Sequence, residues 1–174
     1  MRRYRIGVIR GDGIGPEIIE VTLNVLRELG FNAEFIEVNA GYEFFRKSGK
    51  VIEDGGIDIL KDVDAVLKGP ITTPLHISTF KSVNILLRRE LGLYANVRPF
   101  RSYKGVSLKE LNLTIIRENT EDLYVGIESL HDGTAIALKV ISEKASERII
   151  NYAFNYAIRN NFRKVTIVHK SNVM

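Results

Sequence analysis

The chain contains no cysteine. Disulfides and thiolate metal sites are therefore excluded, and a reducing, cytoplasmic setting is expected. Long apolar runs are missing too. None approaches the roughly 20 residues that a bilayer-spanning helix needs, so no membrane partner is expected. The start, MRRYRIGVIRGDG, carries basic residues but neither an apolar signal core nor a small-residue cleavage site. Repeats, low-complexity linkers and blocks of like charge are also absent. The formal net charge is +4, yet Lys and Arg are scattered, without the concentrated basic footprint of a nucleic-acid surface. A few arginines gathered on a small anion account equally well for the basic excess.

What remains is an ordinary globular composition, 45% hydrophobic and 26% charged over 174 residues. That length suits one sizeable core or two small lobes. Residues 4–9 alternate as a buried strand, 33–38 form a second and 64–69 a third. Between them lie a helix over 17–29 and a short helical stretch, YEFFRKS. Strand, helix, strand, helix, strand points to a parallel sheet with right-handed crossovers. The 17–29 helix places Ile18, Thr22, Val25 and Leu29 on one stripe, with Ile19 and Leu26 beside it. Pro16 suits its first turn and Gly30 its stop. A helix over 82–91 follows.

After Pro99 the texture changes. Strands are expected at 112–117, 134–141 and 164–169. A long amphipathic helix over 142–160 has Ser142 as N-cap and Ile149, Ala153, Tyr156 and Ala157 as its buried stripe. A lobe boundary is expected near residue 100, giving 1–99 and 100–174. The chain stops just after a strand, at KSNVM, which is an odd place for an α/β protein to end, and more protein is expected to follow.

RGDGIGPEI (10–18) sits at a strand-to-helix junction and invites a nucleotide-loop reading. The dinucleotide fingerprint is G-x-G-x-x-G. Here Gly11, Gly13 and Gly15 are spaced G-x-G-x-G, and Pro16 follows. Glu34 and Glu37 sit about where a ribose-binding acid would stand, which makes the mimicry tempting. No Gly-Lys-Ser/Thr follows either, so this is neither a Rossmann loop nor a P-loop; a tight turn with Pro16 starting the helix is expected.

The same stretch resembles the opening of the β-decarboxylating dehydrogenases, the family of isocitrate, 3-isopropylmalate, homoisocitrate and tartrate dehydrogenases. The resemblance continues through LKGPITTP (67–74), SVNILLRRELGLYANVRP (82–99), IIRENTEDLYVGIE (115–128) and VTIVHKSNVM (165–174). It implies an α/β fold of the isocitrate/isopropylmalate dehydrogenase type, two lobes around a mostly parallel sheet, incomplete in this chain. Residues 1–99 would open the large lobe and 100–174 the small dimerisation lobe. Members of this family are longer, so the chain corresponds to their N-terminal half and is expected to be inactive alone.

Arg88, Arg98 and Arg117 lie on three different elements. A guanidinium offers a planar fork to a carboxylate and stays charged at any working pH. Spacing alone does not bring the three together; the resemblance identifies them with substrate-carboxylate arginines. It identifies Ser82 and Asn84 with the pair that reaches the carboxylate distinguishing isocitrate from its relatives. An isopropyl group there would leave both polar side chains without partners, at about 1–3 kcal/mol each. Isocitrate is therefore the expected substrate. Lys81 keeps homoisocitrate open, because such members carry an extra basic residue nearby. 3-Isopropylmalate, or an inactive or regulatory form that keeps only substrate binding or dimerisation, are the alternatives.

By the same resemblance Tyr124 protonates the enol left after decarboxylation. A phenol does this near neutral pH when a cation beside it lowers its pKa. Lys170 reaches a neighbouring subunit's site and helps take the substrate hydroxyl proton, which implies a homodimer with shared active sites. Thr72 and Asn172 match nicotinamide-side positions for NAD or NADP; for Thr72 the partner is the nicotinamide carboxamide or a substrate carboxylate. His76, in the loop after TTP, is assigned no role. The chemistry also calls for Mg²⁺ or Mn²⁺. Asp54, Asp58 and Asp62 are spaced like a carboxylate face but read as a solvated helix surface, so no metal ligand is assigned here and the ligands are expected outside this chain.

Overall fold

The computed structural model describes residues 2–74, 80 and 82–172. The chain divides into two compact units, Met1–Gly92 and Leu93–Met174. None of the helices among the described residues is long and apolar enough to cross a membrane.

In the first unit, strands β1 (Tyr4–Ile9), β2 (Ala33–Glu37) and β3 (Ala65–Lys68) form a parallel sheet in the order β2-β1-β3. The register runs from Tyr4 opposite Ala33 to Val8 opposite Glu37, and from Ile6 opposite Ala65 to Ile9 opposite Lys68. Successive strand side chains point to opposite faces, and the last two residues of β1 show it. Val8 packs with Ile19 and Leu23 of helix α1 (Gly15–Glu28). Ile9 packs on the other side with Val38, with Leu60 of α3 (Gly56–Lys61) and with Val83 and Leu87 of α4 (Val83–Glu90). Helix α2 (Tyr42–Ser48) adds Tyr42 and Phe45 to that side. Both faces of β1 are thus covered, as a parallel sheet requires.

The face of α1 differs from the stripe its periodicity suggests. Gly15, Ile19 and Leu23 are buried, whereas Ile18, Val25 and Leu29 are 44%, 52% and 76% exposed. The helix carries two apolar stripes, and Gly15 decides between them. A Cβ there would lie 2.4 Å from the Arg10 carbonyl oxygen, so only a glycine lets that edge approach the strand end. Thr22, on the rejected stripe, turns its hydroxyl back to the Ile18 carbonyl at 2.7 Å.

The second unit begins with β4 (Ala95–Arg101), which pairs antiparallel with β5 (Asn112–Glu118) along its whole length. The lobe boundary expected near residue 100 would cut through β4, a strand with no distinctive signal of its own in the sequence. A 3₁₀ turn (Leu123–Val125), the hairpin β6 (Glu128–His131) and β7 (Thr134–Ala137), and helix α5 (Glu143–Arg159) follow. The strand expected over 134–141 is half that length and pairs with β6, which the sequence reading missed. No strand forms at 164–169 among the described residues. Its apolar side chains lie near β5 and α5 across cavities lined by Ile115, Ile149, Val165 and Val168. A ladder needs backbone partners, and this run finds none among the described residues.

Helix α5 forms as its sequence dictates. The Ser142 hydroxyl accepts from Ala145 N–H at 3.1 Å and donates to the Glu121 carboxylate at 2.6 Å. Ala145 and Ala157 are buried, with Ile149, Ala153 and Tyr156 partly so. Ser142→Ala should lower unfolding stability by about 0.5–2 kcal/mol, read as a shifted denaturant midpoint of the complete protein with an unchanged slope.

Candidate active site

In the first unit the chemistry gathers at the carboxyl ends of β1 and β3, the edge where α/β sheets place their ligands. Two loops press together there. The Gly69 N–H donates to the Ile9 carbonyl at 2.8 Å and the Asp12 N–H to the Pro70 carbonyl at 2.7 Å. The approach is so close that a Cβ on Gly11 would stand 2.0 Å from the Pro70 oxygen, and Gly11 also has φ +76°. Gly11 and Gly15 of the opening motif thus serve the close approach of loop to loop, whereas Gly13 has open space around it. The candidate ribose acids are taken as well. Arg10 donates to Glu37 at 2.6 Å and to Glu20 at 2.8 Å. These bonds, that to Glu37 first, raise the Arg10 pKa and hold both carboxyls below their usual range. Glu34 lies 3.9 Å from Arg3.

Thr72 is exposed in the loop after β3, with its backbone N–H donating to Asp12. Ser82 stands at the N-cap of α4, yet its side chain does not cap the helix. Asn84 and Arg88 follow one turn apart on the same helical face, and all three are partly buried. Lys68, at the end of β3, was not singled out from the sequence. Its ammonium is held below the usual lysine range by partial desolvation and then by Arg88, with Asp12 opposing. The signal was available, since Lys68 lies inside LKGPITTP. Lys81 and His76 lie outside the described residues.

In the second unit, register does what spacing could not. Asn96 stands opposite Arg117, and Arg98 opposite Ile115. Arg98 and Arg117 therefore share one face of the β4–β5 pair as diagonal neighbours. The other face, with Val97, Ile116 and Glu118, is the more covered one. Arg117 donates to the Tyr124 hydroxyl at 2.5 Å, and its guanidinium carbon lies 5.2 Å from the centre of that ring. Tyr124, Arg117 and Lys170 line one cavity of about 330 Å³, with Lys139 and Glu121. Asn172 is exposed two residues beyond Lys170.

The acids of RENTEDLY serve as scaffolding. Glu118 accepts from the Thr120 hydroxyl at 2.6 Å and from the Thr120 and Glu121 N–H groups at 2.8 Å. Burial alone would raise its pKa, but these donors together hold the carboxyl below its usual range. Glu121 accepts from Ser142 N–H at 2.7 Å. Asp122 takes φ +64°, a conformation that costs a non-glycine residue of order 1–3 kcal/mol. It is held by paired backbone bonds with Val140 and by its own carboxylate accepting from Leu123 N–H at 2.8 Å. The strained residue immediately precedes the turn that aims Tyr124.

No group of three or more His, Asp or Glu able to hold a metal occurs among the described residues. Asp54 is paired with Lys50 and Asp62 with Arg5, so two of the three evenly spaced aspartates are taken up by surface cations. The residues described do not fit a catalytic metal.

The family model for isocitrate/isopropylmalate dehydrogenase matches residues 5–174. The chain is 44% identical over 184 residues to homoisocitrate dehydrogenase of Methanocaldococcus jannaschii, covering 98% of this chain and 53% of that protein. It is 40% identical to the NADP isocitrate dehydrogenase of Rickettsia felis, covering 97% of this chain and 36% of that protein. The crystal structure of isocitrate dehydrogenase from Methylococcus capsulatus superposes with TM-score 0.92 at 40% identity, over 98% of this chain and 52% of that one. The chain thus spans about half the length of most of the relatives it matches.

Proposed function

The chain belongs to the isocitrate/isopropylmalate dehydrogenase family, and from that membership we propose that the complete protein oxidises isocitrate at its hydroxyl-bearing carbon with NAD or NADP and then releases carbon dioxide. The observation that carries the reading is the contact of Arg117 with Tyr124. It sets a proton donor beside a cation on a strand face shared with Arg98, so that a bound carboxylate and the donor lie within reach of each other. By the family resemblance Ser82, Asn84 and Arg88 take the remaining carboxylates, and Thr72 and Asn172 serve the nicotinamide side. Nicotinamide, when bound, supplies the hydride acceptor. Lys170, reaching the neighbouring subunit's site, helps take the hydroxyl proton as hydride leaves. Loss of carbon dioxide from the β-keto acid leaves an enol, and Tyr124 delivers the proton to its carbon. The active form in this reading is a cytoplasmic homodimer, with the metal held by residues outside those described.

Ser82 supports isocitrate over 3-isopropylmalate. It stands at a helix start without serving as the cap, so capping does not explain a polar group there. Homoisocitrate, one methylene longer, is the second reading, favoured by the 44% identity to a homoisocitrate dehydrogenase. Comparing kcat/KM for the three acids decides. Isocitrate should be highest, and Asn84→Leu should lower its value by about tenfold or more while sparing isopropylmalate. A highest value for isopropylmalate would overturn the assignment.

A further inference from the structure

Asp12 is 5% exposed, and among the described residues its carboxylate is bonded to backbone alone. Oδ2 accepts from Tyr42 N–H and from Thr72 N–H, and Oδ1 from Glu43 N–H, each at 2.9 Å. The Asp12 N–H donates in turn to Pro70 O. One residue therefore grips the 70–72 loop at two points and ties it to the start of α2. A buried carboxylate is tolerated only when its oxygens are bonded, and bonds to a charged acceptor are the strong ones. Gly41 leaves the room: a Cβ there would come within 2.8 Å of Asp12 Oδ1.

We propose that Asp12 is a positioning residue that fixes the backbone at Thr72 and thereby sets the side chain of Thr72 for the nicotinamide cofactor. The inference rests on the reading of Thr72 given above. It assigns the acid of GDGIG a task that its glycine spacing does not suggest, that of holding a neighbouring loop in place of a phosphate. The grip is on the N–H of residue 72, so it is independent of that residue's side chain.

The test follows hydrogen exchange of peptide 70–74 by mass spectrometry, with steady-state kinetics, in the complete protein. In the unaltered protein one of this peptide's three amide hydrogens, that of Thr72, should exchange at least about tenfold more slowly than in an unstructured chain, the sign of a closed hydrogen bond. Asp12→Ala removes both acceptor oxygens. It should remove the protection and raise the cofactor KM about tenfold, with the hydroxy-acid KM moving less than about twofold. Thr72→Ala should raise the same KM yet keep the protection. A merely structural Asp12 would lower the melting temperature and the active fraction, hence kcat, and leave both KM values alone; that result overturns the proposal. Free exchange at the Thr72 amide in the unaltered protein overturns it whether or not Asp12→Ala folds. Absence of turnover with all three hydroxy acids would remove the functional reading, and the exchange arm would still decide whether Asp12 holds the loop.

Discussion

Lys170→Met in the complete protein should slow hydroxy-acid oxidation by about 10²–10⁴-fold, the range a positioned acid or base contributes. Tyr124→Phe should leave hydride transfer largely intact and slow the proton delivery that follows. The two groups differ in what methionine and phenylalanine remove. Methionine keeps most of the length of the lysine stem and loses the amine proposed to take the hydroxyl proton. Phenylalanine keeps the ring over which the Arg117 guanidinium lies and loses the hydroxyl to which it donates. Reduced cofactor reports oxidation, and carbon dioxide with product keto acid reports the later steps. Supplying the β-keto acid intermediate bypasses oxidation, so it should rescue the Lys170 variant much more than the Tyr124 variant. Equal rescue would refute the division of labour. Both side chains line one cavity of the second unit, so a shared loss of folding is monitored by the unfolding midpoint, which neither change should shift greatly.

Arg98→Ala should cost about 2–5 kcal/mol in kcat/KM, as loss of one partner of a desolvated charge pair does. The register makes this residue diagnostic. Arg98 and Arg117 share a face as diagonal neighbours, and like charges placed close across strands disfavour the fold. Arg98 takes part in no salt bridge among the described residues. Removing it should therefore leave unfolding stability unchanged or slightly raised while activity falls. A loss below tenfold would place Arg98 outside the site, and a large loss of stability would make it a structural residue.

The features legible in the sequence are those set by neighbours along the chain. The Ser142 cap and the Ile149–Ala153 stripe announce α5 because both are local to one helix. The three parallel strands announce themselves as short apolar runs between helices. Local pattern fails where the decision is made by something distant. Ile18 and Ile19 are equally apolar, and which one faces the sheet depends on how closely Gly15 comes to Arg10. Strand β4 contains Arg98, Pro99 and Arg101, and only its pairing with β5 reveals it. Residues 164–169 have the composition of a strand, yet composition does not supply a ladder partner. In the site, resemblance named the arginines and Tyr124, but the shared face of Arg98 and Arg117 is a property of register. Asp12 and Lys68 went unassigned for a related reason. Their neighbours, Thr72 and Arg88, are far along the chain.

That distance gives the Asp12 clasp an order of assembly. Asp12 emerges from the ribosome 30 residues before Tyr42 and 60 before Thr72. At about 5–20 residues per second, the wait for Thr72 is about 3–12 s, long compared with the microseconds in which a hairpin or helix forms. The carboxylate can meet the start of α2 only from the midpoint of that interval onward, when Tyr42 and Glu43 have emerged. Loop 70–72 arrives as the last donor, at a site whose other two bonds are already available. The closure entropy for 60 residues exceeds that for 30 by only about 0.6 kcal/mol, so the late bond is delayed by synthesis far more than it is opposed by chain entropy. The nascent chain thus acquires its β1–α2 framework first and latches the Thr72 loop onto it afterwards.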